Sequence, residues 1–239
     1  MNARLATAPF LILAAVLAMN ADGQTSAQNE NPYAAMAPVD QYLMNRDAEI
    51  ALARSAAPES ISRDAKVLVL GRHGYETASE GKNGFVCAVE RSWMAPFDNR
   101  EFWNPKIRGA ICYNPAAARS VLPITLVRTE MALGGVSIAD MPGRLKAAYA
   151  RKPLPALEPA AMSFMMSKGA YLTDDGHHNV PHVMFYTPII DGANWGADVP
   201  NSPIYLLPHG GAPEPVNIFI ITARSWSDGT PVAAPHIGH

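Results

Sequence analysis

The densest run of side chains able to do chemistry is Asp174-Asp175-Gly176-His177-His178-Asn179-Val180-Pro181-His182. Neutral imidazoles and carboxylates ligate zinc, copper or iron, and a loop running into a strand can turn alternate side chains toward one ion. His177, His178, His182 and Asp175 are therefore candidate ligands for a divalent transition metal, or polar anchors for a small-molecule ligand. With an ion bound, Asp174 or Asp175 would act as ligand or base while the metal polarises a substrate or activates water. His178 and His182 stand four residues apart, but Pro181 between them argues against the regular helix on which that spacing makes a site. His236 and His239 are further imidazoles near the C-terminus. Cys87 and Cys112 belong to no Cys-x-x-Cys pair, which argues against a zinc site, and both lie close to polar, turn-rich sequence in a chain expected to be exported, so a disulfide is expected in preference to two buried thiols.

A second candidate is Val67-Leu68-Val69-Leu70-Gly71-Arg72-His73-Gly74, an apolar strand ending in Arg-His-Gly. It resembles the nucleophile segment of the histidine phosphatase superfamily, and Ile204-Tyr205-Leu206-Leu207-Pro208-His209-Gly210-Gly211 is similar to that family's late strand-His-Gly segment. The resemblance implies a phosphoryl hydrolase in which His73 attacks phosphorus, with Arg72 and His209 beside it and Arg128 as a second phosphate-binding arginine. Guanidinium forks hold phosphate oxygens two at a time, and a neutral imidazole is a competent nucleophile. From Tyr42 through Thr230 the chain also resembles exported bacterial proteins of unknown function, through its Asn-Gly-Phe-Val-Cys and Pro-His-Val-Met-Phe-Tyr segments. That likeness implies export and a shared single-domain fold but no activity. There is no Gly-x-Ser-x-Gly elbow, no phosphate-cradling Gly-x-x-x-x-Gly-Lys and no His-Glu-x-x-His.

The elements that must position these residues follow from periodicity and punctuation. Residues 1–23 have one basic residue, Arg4, before the apolar run Leu5 to Ala18 and then small residues, which is the layout of a cleaved secretory signal peptide. Residues 24–38 read as a flexible leader, and residues 39–239 as one α+β domain of the periplasm or the secreted fraction. After signal removal no integral membrane segment is expected. Asp40 is placed to cap a helix running to about Ala57, ended by Pro58. Lys66 to Leu70, Tyr75 to Ser79 and Phe85 to Arg91 read as strands, and Asn83-Gly84 predicts a hairpin within an antiparallel meander. Asn114-Pro115 starts a helix to about Leu133 with a break near Pro123, and Ser137 with Asp140 starts another that ends near Lys152-Pro153. Four further strand-like runs follow: 160–166, 182–187, 204–207 and 216–223. The expected fold is α+β, a mainly antiparallel sheet packed with two to three helices.

Composition sets the outer bounds. With 49% hydrophobic residues the chain can build a core, and its charged fraction of 17% is low. Nineteen basic residues against 21 acidic ones give a net charge of −2, without the basic excess of a nucleic-acid binder. Charge is thinnest in residues 153–239, where only Lys168 and Arg224 are basic and six of the seven histidines lie. Met162, Met165, Met166 and Met184 read as core fillers. Trp93 and Trp103 are expected in the interior, and Trp195 and Trp226 nearer the surface.

Overall fold

The computed structural model describes residues 31–175, 180–207 and 211–232. The proposed signal peptide lies outside the described residues, as do His177, His178, His209, His236 and His239. Asn45 caps the first helix, α1 (Arg46–Arg54): its side chain accepts from the amides of Asp47 and Ala48, at 3.0 and 3.2 Å. Asp47 and Glu49 in the first turn and Arg54 in the last complement the helix dipole. Asp40 is therefore not the cap; it lies in a 3-10 turn, Val39–Gln41, ahead of the helix. Beyond Pro58, α2 (Glu59–Ser62) is a single turn.

Strands β1 (Lys66–Gly71) and β2 (Gly74–Ser79) form an antiparallel hairpin whose two-residue turn is Arg72-His73. Strand β3 (Val86–Glu90) then pairs parallel to β1 on its other side. The expected hairpin at Asn83-Gly84 is thus a crossover. Asn83 closes a local turn onto the Phe85 amide at 3.1 Å and donates to the Ile61 carbonyl at 2.7 Å, which draws the chain under β1. Gly81 makes that passage: a Cβ there would stand 2.1 Å from the Lys66 nitrogen.

From β3 onward every pairing is antiparallel, through β4 (Gly109–Tyr113), β5 (Met162–Met165), β6 (His182–Thr187), β8 (Asn217–Thr222) and the short edge strand β7 (Ile204–Leu206). The result is one eight-stranded sheet in the order β2-β1-β3-β4-β5-β6-β8-β7. Between β4 and β5 come α3 (Pro115–Ser120), α4 (Leu122–Leu133) and α5 (Met141–Arg151). Asn114 caps α3 by accepting from Ala117 at 2.8 Å, and the expected break before Pro123 separates α3 from α4. Among the described residues five α-helices therefore stand where two to three were expected, because one predicted helix is divided and α2 adds a turn.

The helices cover the sheet unevenly. On one face α1 packs against β1, β3 and β4, joining Ala53, Ala56 and Ala57 to Val67, Cys87, Val89, Ala110 and Cys112. On the other face Ala117, Val121 and Leu122 of the α3–α4 segment meet Leu68, Ala88, Ile111 and Tyr113. Burial on both sides explains the continuous apolar runs of β1, β3 and β4. An aromatic cluster at one end adds Tyr42, Trp93, Phe102 and Trp103. Trp195 and Trp226 are half-buried, as expected, and Trp195 stacks on Phe219 with ring centres 4.5 Å apart. Cys87 and Cys112 face each other across β3 and β4 and are bonded, a linkage that persists in oxidising compartments. Among the described residues no helix is long and apolar enough to cross a membrane.

Candidate functional site

The helical cover thins toward the C-terminal strands, and there the sheet floors a cavity of about 380 Å³. Strand alternation decides what reaches it. Glu90 shares a face with Val86 and Ala88 in β3, and His182, Met184 and Tyr186 share it in β6. Ile218 and Ile220 continue the floor in β8, where they pair with Tyr186 and Met184. Thr125 and Arg128 of α4 form a wall, and the segment containing Ala212, Glu214 and Val216 closes the far side. Gly109, opposite Glu90 in the ladder, leaves room in front of that carboxyl: a Cβ there would meet Met165 Cε at 3.3 Å.

Three polar groups set the character of this space. Glu90 Oε1 accepts from the Tyr113 hydroxyl and, at 2.8 Å, from Thr125 Oγ1. Burial pushes the Glu90 carboxyl above its ordinary value, and the two hydroxyls and the charge of Arg128 only partly offset this. Because Oε1 is already occupied by donors, a proton taken up by the carboxyl goes to Oε2, which receives no hydrogen bond from any described residue. His182 is buried, and its ring Nδ1 lies 2.8 Å from the Val180 carbonyl, so Nδ1 carries the hydrogen and Nε2 is the acceptor. Burial lowers the imidazole below its ordinary value, with the Val180 contact opposing. Ser92, 2% exposed, also lines the cavity, and its Oγ is the one buried side-chain polar atom among the described residues without a hydrogen-bond partner.

Arg128 holds the wall together. Its Nε and Nη2 each meet a Glu214 oxygen at 2.9 Å, Nη1 donates to the Ala95 carbonyl at 3.1 Å, and the Tyr149 hydroxyl donates to the same carboxylate at 3.1 Å. Burial alone would raise the Glu214 carboxyl, but its contacts with Arg128 and Tyr149 outweigh that and hold it below the ordinary range. The arginine sought for phosphate is thus engaged by a carboxylate.

The described residues among those singled out in the sequence are dispersed. His182 belongs to the cavity, whereas Asp174 lies in a surface cluster where it accepts from Tyr33, Tyr171 and Lys106, the last at 2.9 Å. These contacts hold its carboxyl well below the usual range, which disfavours it as a base. Asp175 is exposed beside it, outside the residues lining the cavity. Among the described residues no group of three or more His, Cys, Asp or Glu side chains is placed to hold a metal. Arg72 and His73 are exposed at the tip of the first hairpin, where Arg72 pairs with Asp40, and neither lines the cavity. Glu90, Thr125 and Ser92 went unnoticed in the sequence. The available signal was parity, a carboxylate two residues beyond Ala88 on a core-facing register. No family model matches the chain, and no curated protein or solved structure matches it.

Proposed function

We propose that this is an exported protein of the periplasm or the secreted fraction that binds a small, largely apolar molecule in the cavity over β4, β5, β6 and β8. One observation carries the reading: a cavity of about 380 Å³, floored by methionine and isoleucine, into which a few polar residues converge. Binding sites for small molecules have this composition and occupy roughly 300–1,000 Å³. The unsatisfied Ser92 hydroxyl at its wall supports the same reading, since a buried polar atom without a partner is rare and a bound molecule or water would satisfy it. Export is supported by the signal-like N-terminal pattern and by the Cys87–Cys112 bond.

The test uses N-phenyl-1-naphthylamine, an uncharged dye whose emission rises in apolar surroundings. Titration of the full chain should give saturable binding, and Ile220→Trp, which fills the floor, should abolish it while far-ultraviolet circular dichroism stays unchanged. Absence of saturable binding, or binding indifferent to Ile220→Trp, would remove the cavity as the site.

A further inference from the structure

We infer that the cavity selects an uncharged molecule that presents a carbonyl-type oxygen to Glu90 and a hydroxyl to His182, with a hydrocarbon body between them. This rests on the ligand-binding reading and specifies its chemistry. The two groups sit three strands apart on one face, on β3 and β6, so their backbones are roughly 14 Å apart at the usual strand spacing. Oε2 of Glu90 is the open position of that carboxyl, because Tyr113 and Thr125 both occupy Oε1. With the proton on Oε2 the cavity displays a donor at this end, and Gly109 keeps the approach clear. At the other end the Val180 carbonyl fixes the His182 tautomer, so Nε2 displays an acceptor. Between them lie Gly109 and Tyr113 of β4 and Met165 of β5, while Met184, Ile218 and Ile220 extend the apolar floor from the His182 strand outward.

Charge is selected against at both ends. A carboxylate ligand would need a cation, and the Arg128 fork that lines the cavity is already engaged on both nitrogens by Glu214. An ammonium ligand would need an anion, and the same guanidinium stands near Glu90. Burying an ion without a dedicated counter-charge costs far more than burying a hydrogen-bonded neutral group. The groups acting on Glu90 are Tyr113 of β4 and Thr125 and Arg128 of α4; Glu90 in turn acts on Tyr186 of β6 and Tyr75 of β2, and Arg91, next in the chain, is paired with Glu49. None of these is an unpaired cation that would force Glu90 to ionise.

Matched naphthalenes test the selection by displacement of N-phenyl-1-naphthylamine from the full chain. 2-Acetylnaphthalene should bind about tenfold tighter than 2-ethylnaphthalene, the ratio of about 1.4 kcal/mol of discrimination. 2-Naphthoate and 1-(2-naphthyl)ethylammonium should bind more weakly than the ketone, and 2-acetyl-6-hydroxynaphthalene more tightly. Glu90→Leu should erase the ketone's advantage while leaving 2-ethylnaphthalene bound. Glu90→Gln, whose amide N–H can still donate, should keep that advantage and lose the decline expected of the unaltered protein as rising pH ionises the carboxyl. His182→Phe should erase only the gain from the added hydroxyl. Equal affinity for ketone and hydrocarbon, or tightest binding of either ion, overturns the inference while dye binding keeps the cavity as a site. Failure of every probe, dye included, overturns both.

Discussion

Glu90 and His182 each resist taking the charge that water would allow them, and the consequences for stability run in opposite directions. The folded state holds the Glu90 proton more tightly than the unfolded chain does. Between the ordinary value of 4.5 and the higher folded value the native state therefore binds more protons, and stability falls as pH rises through that window. For His182 the folded value lies below the ordinary 6.5, so its contribution is present above 6.5 and is lost as pH falls through the folded value. Urea midpoints measured from about pH 4 to about pH 8 should show the first slope vanish in Glu90→Gln and the second in His182→Phe. Identical slopes in variant and parent would contradict these placements. Ala160 makes a different residue-scale case. It is exposed with φ of 61°, in the left-handed region that a Cβ disfavours, and its carbonyl accepts from Asn114 Nδ2 at 2.9 Å. Ala160→Gly should stabilise the protein by up to about 1 kcal/mol, read as a raised urea midpoint; a lowered midpoint would show that chain entropy outweighs the relief.

At the scale of elements, the interaction that decides most is the buried fork between α4 and the segment before β8. Arg128 and Glu214 are 5% and 4% exposed, so removing either one takes a close, two-point counter-ion from an interior charge. Arg128→Met should cost about 3–5 kcal/mol in chemical denaturation, and Arg128→Met combined with Glu214→Leu should recover much of it. Additive losses would mean that the two do not act as a pair. The same fork explains why the cavity is shaped on that side, since it pins the closing segment to the helix that forms the opposite wall. The first hairpin illustrates a competition between local signals. Asn83-Gly84 carries the stronger turn dipeptide, yet Arg72-His73 makes the hairpin. Turn chemistry is local, whereas burial of β1 on both faces requires β3 as a second neighbour, and Gly81 permits the crossover that supplies it.

For the whole molecule, the bond between Cys87 and Cys112 links two inner strands of the sheet, β3 and β4, across a sequence separation of 25. Both sulfurs are fully buried, so reductant should reach them only when the sheet opens. Replacing both by alanine should lower unfolding free energy by about 2–5 kcal/mol, and the unaltered native protein should resist thiol labelling in dithiothreitol until denaturant is added. Rapid labelling of the native fold would place the pair nearer the surface than the structure does. The uneven helical cover is also a property of the whole. Three helices inserted between β4 and β5 reach one half of the sheet, and the other half has to be closed by loop segments, which leaves the interior space.

Much of the architecture was legible from periodicity. Seven of the eight described strands, the α3–α4 break at Pro123 and the cysteine pairing follow from apolar alternation, cap residues and residue count, because these depend on neighbours within a few positions; β4 (Gly109–Tyr113) was not read as a strand, and α5 starts after Asp140 instead of at Ser137. Strand order was not legible, since whether β3 pairs with β2 or with β1 depends on a competition for burial among segments far apart in the chain. The site was hidden for the same reason. The His-rich run stood out by composition, but of its described residues only His182, held in register by β5 and β8, lines the cavity. Glu90 was one unremarked residue of the 85–91 strand; α4 brings Thr125 over it and β4 brings Tyr113 beside it. Residue type determined which groups could titrate, and the packed sheet and helix decided which of them lost water and so acquired a shifted proton affinity.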